Sequence, residues 1–324
     1  MNATDCEKIS KSFPQTFLPP VFISVFIVGL FANGWGLNSL RRNWQKLGDV
    51  NVFVLNLGIA DILYLLTLPF LIVHYLRGSK WIFGEVFCKV TRFCFNLNLY
   101  CSIGFLTCIS VYRYLAIVHP MRVMGRLTVS HSVIISIIVW VFVSVQSLPD
   151  MFFPKKDVNG TFQCFDTTTT EYVEEYLQYS ISWTVIGFCI PTLITVACYG
   201  HVIALLCCKD NIDKVLKQRS LTLLIILILL FSICYIPYHV LKNFNLWSRV
   251  LSKHNVCYKW FNSVYVAQRI CRGLVCLNSA LNPLIYLHVN EDMSAYFRQL
   301  CRRTRTAASQ LSSNTLLSNT FRNI

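Results

Sequence analysis

Apolar residues dominate seven stretches of this chain, near Phe17 to Leu40, Val50 to Leu76, Glu85 to Val118, Ser130 to Phe153, Tyr176 to Cys208, Lys217 to Trp247 and Trp260 to Val289, with short polar segments between them. Each is long enough to cross a hydrocarbon core about 30 Å thick, for which a helix needs about 20 residues. A backbone in lipid finds no water to bond, so each stretch must satisfy its own N–H and C=O groups as a helix. The pattern predicts an all-α membrane protein, a seven-transmembrane helix bundle over residues 17–303, with an extracellular tail at 1–16 and a cytoplasmic disordered tail at 304–324. Met293, Tyr296, Phe297 and Leu300, with Arg298 and Arg302 among them, predict a short amphipathic eighth helix on the inner leaflet. Cys301 beside it is a candidate for palmitoylation.

Composition agrees with lipid as the solvent. The 324 residues are 55% hydrophobic and 14% charged, with a mean hydropathy of +0.52, which excludes an ordinary soluble domain of this length. The net charge of +14 raises the question of a nucleic-acid partner. The bases, however, sit in short segments at the rims of the apolar runs, as membrane proteins place them, so no nucleic acid is expected. Residues 1–16 carry Asp5, Glu7, Lys8 and Lys11 and lack the basic start and apolar core of a cleavable signal, so the first apolar run is expected to act as an uncleaved anchor.

Seven spans put the two ends on opposite sides of the membrane. A modest excess of Lys and Arg, including Arg41, Arg42, Arg122, Arg126, Arg302 and Arg303, places the C-terminus in the cytoplasm. The glycosylation sequons at Asn2 and Asn159 then fall outside. Of 15 cysteines, Cys6, Cys88, Cys164 and Cys257 lie in or beside outer segments, an even set that allows three pairings. The Ser, Thr and Asn content after Thr304 suits a phosphorylated tail, for which arrestin and a receptor kinase are the expected partners.

Ionisable groups inside a bilayer are costly and mark function. One layer holds Asp61 in the second span and Arg113 near the inner end of the third, with Asn33, Asn56, Asn278 and Asn282 nearby. The outer layer is cationic: Arg92, His239, Lys242, Arg269 and Arg272. His239 and Lys242 are three apart, as are Arg269 and Arg272, so each pair shares a helix face, and Gln268 and Tyr265 extend the latter face outward. Tyr100 adds an aromatic wall. Cations converging on one cavity repel one another unless an anion joins them, and polyphosphate fits through charge-assisted, bidentate hydrogen bonds. Asp166 and Glu171 in the long outer segment are candidates for an ionic latch on Arg272, whereas Glu174 and Glu175 read as solvated loop acids.

These residues stand in a wider pattern. Asn33, Leu57-Gly58-Ile59-Ala60-Asp61, Cys88, Tyr112-Arg113-Tyr114, Trp140, Pro191, Phe231-Ser232-Ile233-Cys234-Tyr235-Ile236-Pro237 and Asn282-Pro283-Leu284-Ile285-Tyr286 follow in order, and over Phe17 to Arg302 the chain resembles the rhodopsin-like G-protein-coupled receptors. Trp81-Ile82-Phe83-Gly84, Asn98-Leu99-Tyr100, Cys164-Phe165-Asp166-Thr167-Thr168, Tyr238-His239-Val240-Leu241-Lys242 and Arg272-Gly273-Leu274 are similar to the purinoceptors for extracellular nucleotides, nearest their ADP-responsive members. The resemblance implies disulfides Cys88–Cys164 and Cys6–Cys257, phosphate contacts at Arg92, Lys242 and Arg272, and a sodium ion held by Asp61, Ser102, Asn278 and Ser279. It also implies a switch made by Arg113, Tyr199 and Tyr286 that admits a heterotrimeric G protein, with signalling through phospholipase C. Tyr112 replaces the usual acid before Arg113, Tyr235 replaces the Trp of most of the superfamily, and Asn96, Gln268, Arg269 and Cys276 depart from the pattern expected around the ligand.

The expected function is therefore a plasma-membrane receptor for ADP or ATP. The alternative is a receptor for a small dicarboxylate such as succinate or oxoglutarate, which would need fewer bases. An anion transporter is disfavoured by the lack of an internal repeat, and an enzyme by the lack of a nucleophile–base pair or metal-ligand cluster in any span.

Overall fold

The computed structural model describes residues 12–42, 50–119, 128–154, 157–158, 161–162, 164, 167–208, 222, 225–226 and 228–283. Asn2, Cys6, Asn159, Asp166, Tyr286, Cys301, the eighth helix and the C-terminal tail lie outside them. The elements are α1 (Ser12–Arg42), α2 (Val50–Leu65), α3 (Leu68–Leu76), α4 (Gly84–Val118), α5 (Val129–Phe152), the antiparallel strands β1 (Asp157–Val158) and β2 (Thr161–Phe162), α6 (Val173–Thr184), α7 (Ile190–Cys208), α8 (Ile236–Lys253) and α9 (Trp260–Leu281). Five of the described helical segments are long and apolar enough to cross a membrane: Ser12–Arg42, Val50–Leu76, Gly84–Val118, Val129–Phe152 and Val173–Leu205. Parts of the sixth and seventh expected spans, Lys217 to Trp247 and Trp260 to Val289, lie outside the described residues.

Proline shapes three of the spans. A proline has no N–H to give, and its ring displaces the carbonyl four residues earlier. Pro69 breaks the second span into α2 and α3, and the Thr67 hydroxyl donates to the Tyr64 carbonyl at 2.7 Å. Ahead of Pro191 and Pro237 the chain instead widens into single π-helical turns, Val185–Cys189 and Phe231–Tyr235. Each wide turn contains the residue whose carbonyl the proline displaces, Gly187 or Ile233, so the strain is relieved without ending the span.

The helices close into a ring. α1 packs on α2, α3 and α9, α9 on α8, α8 on α6, and α4 runs through the middle against α2, α5 and α7. Apolar side chains such as Ile134, Ile137, Ile138 and Val141 of α5 face outward, while Asn33, Asp61, Asn98, Ser102 and Asn282 are buried. Lipid makes that arrangement favourable, because polar groups find partners only inside. At Gly187 a Cβ would stand 2.7 Å from Gln146 Nε2 and 2.8 Å from Tyr100 Cδ1, so only glycine lets this turn approach α4 and α5 so closely.

One end of the bundle is fastened by a disulfide between Cys88, in the first turns of α4, and Cys164. Just before it, Gly84 takes a left-handed φ of 79° that starts α4, and the Trp81 indole donates to the Gly84 carbonyl at 2.7 Å. Cys257 is also disulfide-bonded.

Candidate functional site

Three bases from three helices meet beside the disulfide. Arg92 of α4, Lys242 of α8 and Arg272 of α9 line one small cavity together with Phe95, Tyr238 and Cys164. All three bases are buried. Arg92 and Phe95 are three apart on α4, and Tyr238 and Lys242 four apart on α8, so each helix presents a ring and a cation on one face. The Arg272 guanidinium lies 5.2 Å from the Phe95 ring centre and the Lys242 ammonium 6.0 Å from that of Tyr176, while Arg269 lies 4.9 Å from Tyr265. The negative ring faces offset part of the cost of burying these charges.

The cluster also holds an anion of its own. Asp150, near the end of α5, is completely buried. Arg92 Nε donates to Asp150 Oδ2 at 3.0 Å, and Arg92 Nη2 reaches Oδ1 at 2.6 Å and Oδ2 at 2.8 Å. The Tyr176 hydroxyl donates to Oδ1 at 2.7 Å, and Arg92 Nη1 donates to the Thr167 carbonyl at 3.2 Å. The sequence suggested that a ligand supplies the anion that joins these cations; for Arg92 the chain supplies one itself. Sequence reasoning passed over Asp150, although a signal was there: it is the single acid or strong base within residues 130–153, and an ionisable group in a span is a functional candidate.

The other expected ligand residues surround the cavity without lining it. His239 stacks on Phe188, with ring centres 4.4 Å apart, and stands 5.8 Å from Tyr100. Neither ring nitrogen of His239 has a hydrogen-bond partner among the described residues. Gln268 and Arg269 are buried on α9. Glu171 is exposed, and its carbonyl accepts Lys253 Nζ at 3.0 Å. Glu174, expected as a solvated acid, instead binds Lys253 at 3.0 Å and His254 at 3.1 Å. Arg249, which the sequence did not single out, donates to the Thr167 hydroxyl at 2.6 Å and the Thr168 carbonyl at 2.7 Å. These contacts tie the segment after Cys164 to the end of α8, above the cavity.

Deeper in the bundle Asp61 is the hub of an amide network. Asn98 donates to Asp61 Oδ1 at 2.8 Å, and Asn282 donates to Oδ1 at 3.1 Å and Oδ2 at 3.0 Å. Ser279 donates to Asn98 at 3.0 Å, Asn282 approaches Ser102 at 3.5 Å, and Asn33 reaches the Ser279 carbonyl at 2.8 Å. The Oδ1 atoms of Asn278 and Asn282 are buried without a hydrogen-bond partner among the described residues.

At the opposite end of α4, Tyr112 turns away from its neighbour Arg113. Its hydroxyl pairs with Ser132 of α5 at 2.8 Å, and its ring meets Phe53 edge-on at 5.1 Å. Tyr199 of α7 is buried beside Ser110 and Arg113. Trp140 donates to Asn56 at 2.8 Å, joining α5 to α2.

The helical ring, the disulfide, the buried Asp61 network and the Arg113 region together describe a receptor bundle, and residues 38–286 match the family "7 transmembrane receptor (rhodopsin family)". The chain belongs to that family, whose members are multi-pass membrane receptors and not enzymes. Among curated proteins it is similar to purinoceptor 1 of Meleagris gallopavo, 38% identical over 94% of this chain and 84% of the relative. It is 37% identical to purinoceptor 1 of Homo sapiens, over 95% of this chain and 83% of that one. Purinoceptor 4 of Mus musculus is 34% identical over 96% of this chain and 87% of its own length.

Proposed function

We propose that this chain is a plasma-membrane receptor, N-terminus outside, activated by an extracellular purine nucleotide, ADP or ATP, and signalling through a heterotrimeric G protein to phospholipase C and calcium. The observation that carries the reading is the convergence of buried cations on one ring-walled cavity: Lys242 and Arg272 offer charge-assisted bonds to phosphate, while Phe95 and Tyr238 offer flat apolar surface. The names of the curated relatives point the same way.

Activation is a population shift. Nucleotide binds better to a helix arrangement that draws α8 and α9 toward α4, and that difference in affinity biases the whole bundle. The π turns before Pro191 and Pro237 are where α7 and α8 have the least regular hydrogen bonding and bend most readily. Asp61, Ser102, Asn278 and Ser279 would hold a sodium ion, which balances the buried carboxylate in the resting arrangement. Arg113, Tyr199 and Tyr286 then rearrange to admit the G-protein helix. Tyr112, bonded to Ser132, gives Arg113 no adjacent acid to hold it, so resting restraint must come from other contacts of Arg113.

The test is intracellular calcium in cells expressing the chain, titrated with ADP, ATP, UDP, UTP, succinate and oxoglutarate. A saturable adenine-nucleotide response is expected; a response to a dicarboxylate alone would overturn the ligand and leave the receptor class standing.

A further inference from the structure

Asp150 has no part in the reading above, yet it lines the same cavity as Arg92, Lys242 and Arg272. Arg92 is the cation with the most fully described engagement: all three of its guanidinium nitrogens donate, two to Asp150 and the third to the Thr167 carbonyl. Tyr176 donates to the same carboxylate oxygen that Arg92 Nη2 reaches. A phosphate arriving at Arg92 must either displace Asp150, costing the buried carboxylate its guanidinium partner, or lie beside it and be repelled. Both are strongly unfavourable, because a buried charge deprived of its partner keeps its full desolvation cost. Among the described residues three cations and one anion line the cavity, a formal +2 where the bases alone would give +3.

We infer that Asp150 is a specificity-determining residue that withdraws Arg92 from the ligand, confines phosphate recognition to Lys242 and Arg272, and fits the cavity to a diphosphate in preference to a triphosphate. The inference rests on the proposed nucleotide reading for the identity of the agonist. Its physical content, the number of anionic groups the cavity accepts, is independent of the base. Two phosphate groups find Lys242 and Arg272; a third is directed at a carboxylate.

The experiment pairs two readouts on surface-tagged receptor. ADP and ATP are titrated by calcium response, and the melting of purified receptor is followed with inorganic pyrophosphate or tripolyphosphate. Asp150→Asn keeps the size of the side chain and an acceptor for Tyr176 while releasing Arg92. It is expected to raise the potency of ATP relative to ADP by about tenfold, the worth of one charge-assisted hydrogen bond, and to raise stabilisation by tripolyphosphate over pyrophosphate. Arg92→Gln/Asp150→Asn removes both charges and leaves neither unpaired, so it carries the test should the single variant fail to reach the surface. It is expected to lower ADP potency by clearly less than Arg272→Ala does, since Lys242 and Arg272 carry the phosphates.

An unchanged ATP-to-ADP ratio with an unchanged polyphosphate preference in Asp150→Asn would overturn the proposal. So would a loss of ADP potency in the double variant as large as that of Arg272→Ala, because Arg92 would then be a ligand contact. If the natural chain answers neither nucleotide, the agonist assignment falls separately, and the polyphosphate comparison still decides the role of Asp150.

Discussion

Around the disulfide-bearing cavity, cations outnumber acids among the described residues, and they rest on aromatic faces or, for Arg92, on Asp150. Around Asp61, a single buried carboxylate is surrounded by the amides and hydroxyls of Asn98, Asn282, Ser102 and Ser279. Both regions bury charge in a low-dielectric interior, and each does so with groups that are incompletely neutralising. Among the described residues the first is left with a surplus of positive charge, as an anion site requires. The second is left with one buried carboxyl group among neutral dipoles. On the proposed reading, an anion in the outer region and a cation in the middle would be coupled through the helices the two regions share, α4 and α9.

Removing a charge from each region separates the roles. Arg272→Ala takes away a cavity cation, and its loss of charge-assisted bonds of about 3 kcal/mol should weaken nucleotide potency by roughly 100-fold in a calcium titration. If potency moved less than threefold or so, Arg272 would be a packing residue on Phe95 and the contrast would fail at the cavity. Asp61→Asn is a smaller, different lesion. Agonist affinity in the natural chain should fall about fivefold as sodium replaces choline, the low end of ordinary coupling between sites, and the variant should show a flat sodium response. A sodium effect that persists in Asp61→Asn would place the cation elsewhere. Trp140→Phe lies outside both regions and removes the bond to Asn56, so it should cost about 1 kcal/mol, seen as a fall of a few degrees in melting temperature with nucleotide potency and sodium dependence intact.

Much of this architecture is legible in the sequence because lipid imposes a one-dimensional rule: a span is apolar over its whole length. Five of the expected spans satisfy that rule among the described residues. Proline positions are equally legible, yet their consequences are not. Pro69 broke a helix while Pro191 and Pro237 widened one, and the outcome depends on what the neighbouring helices allow the displaced carbonyl to do. The cations of α4, α8 and α9 could be assigned to one layer from helical spacing. Which of them share a cavity is a matter of helix rotation, and that placed Arg92, Lys242 and Arg272 together with His239 and Arg269 behind them. Asp150 was missed for a related reason. Its significance comes from Arg92 across an α4–α5 contact, 58 residues away in the chain, which no local pattern encodes. Glu174 shows the same limit at the surface, where its partners Lys253 and His254 come from the end of α8.

The central claim is that the cavity between α4, α8 and α9 binds an adenine nucleotide through Lys242 and Arg272. The most direct measurement is equilibrium binding of labelled ADP to the purified receptor, natural chain beside Lys242→Ala/Arg272→Ala, with both proteins checked for intact folding by their melting curves. Saturable binding by the natural chain, weakened by added salt and absent from the folded double variant, is the predicted result. Binding of equal affinity in the two proteins, or none in the natural chain, would contradict the account.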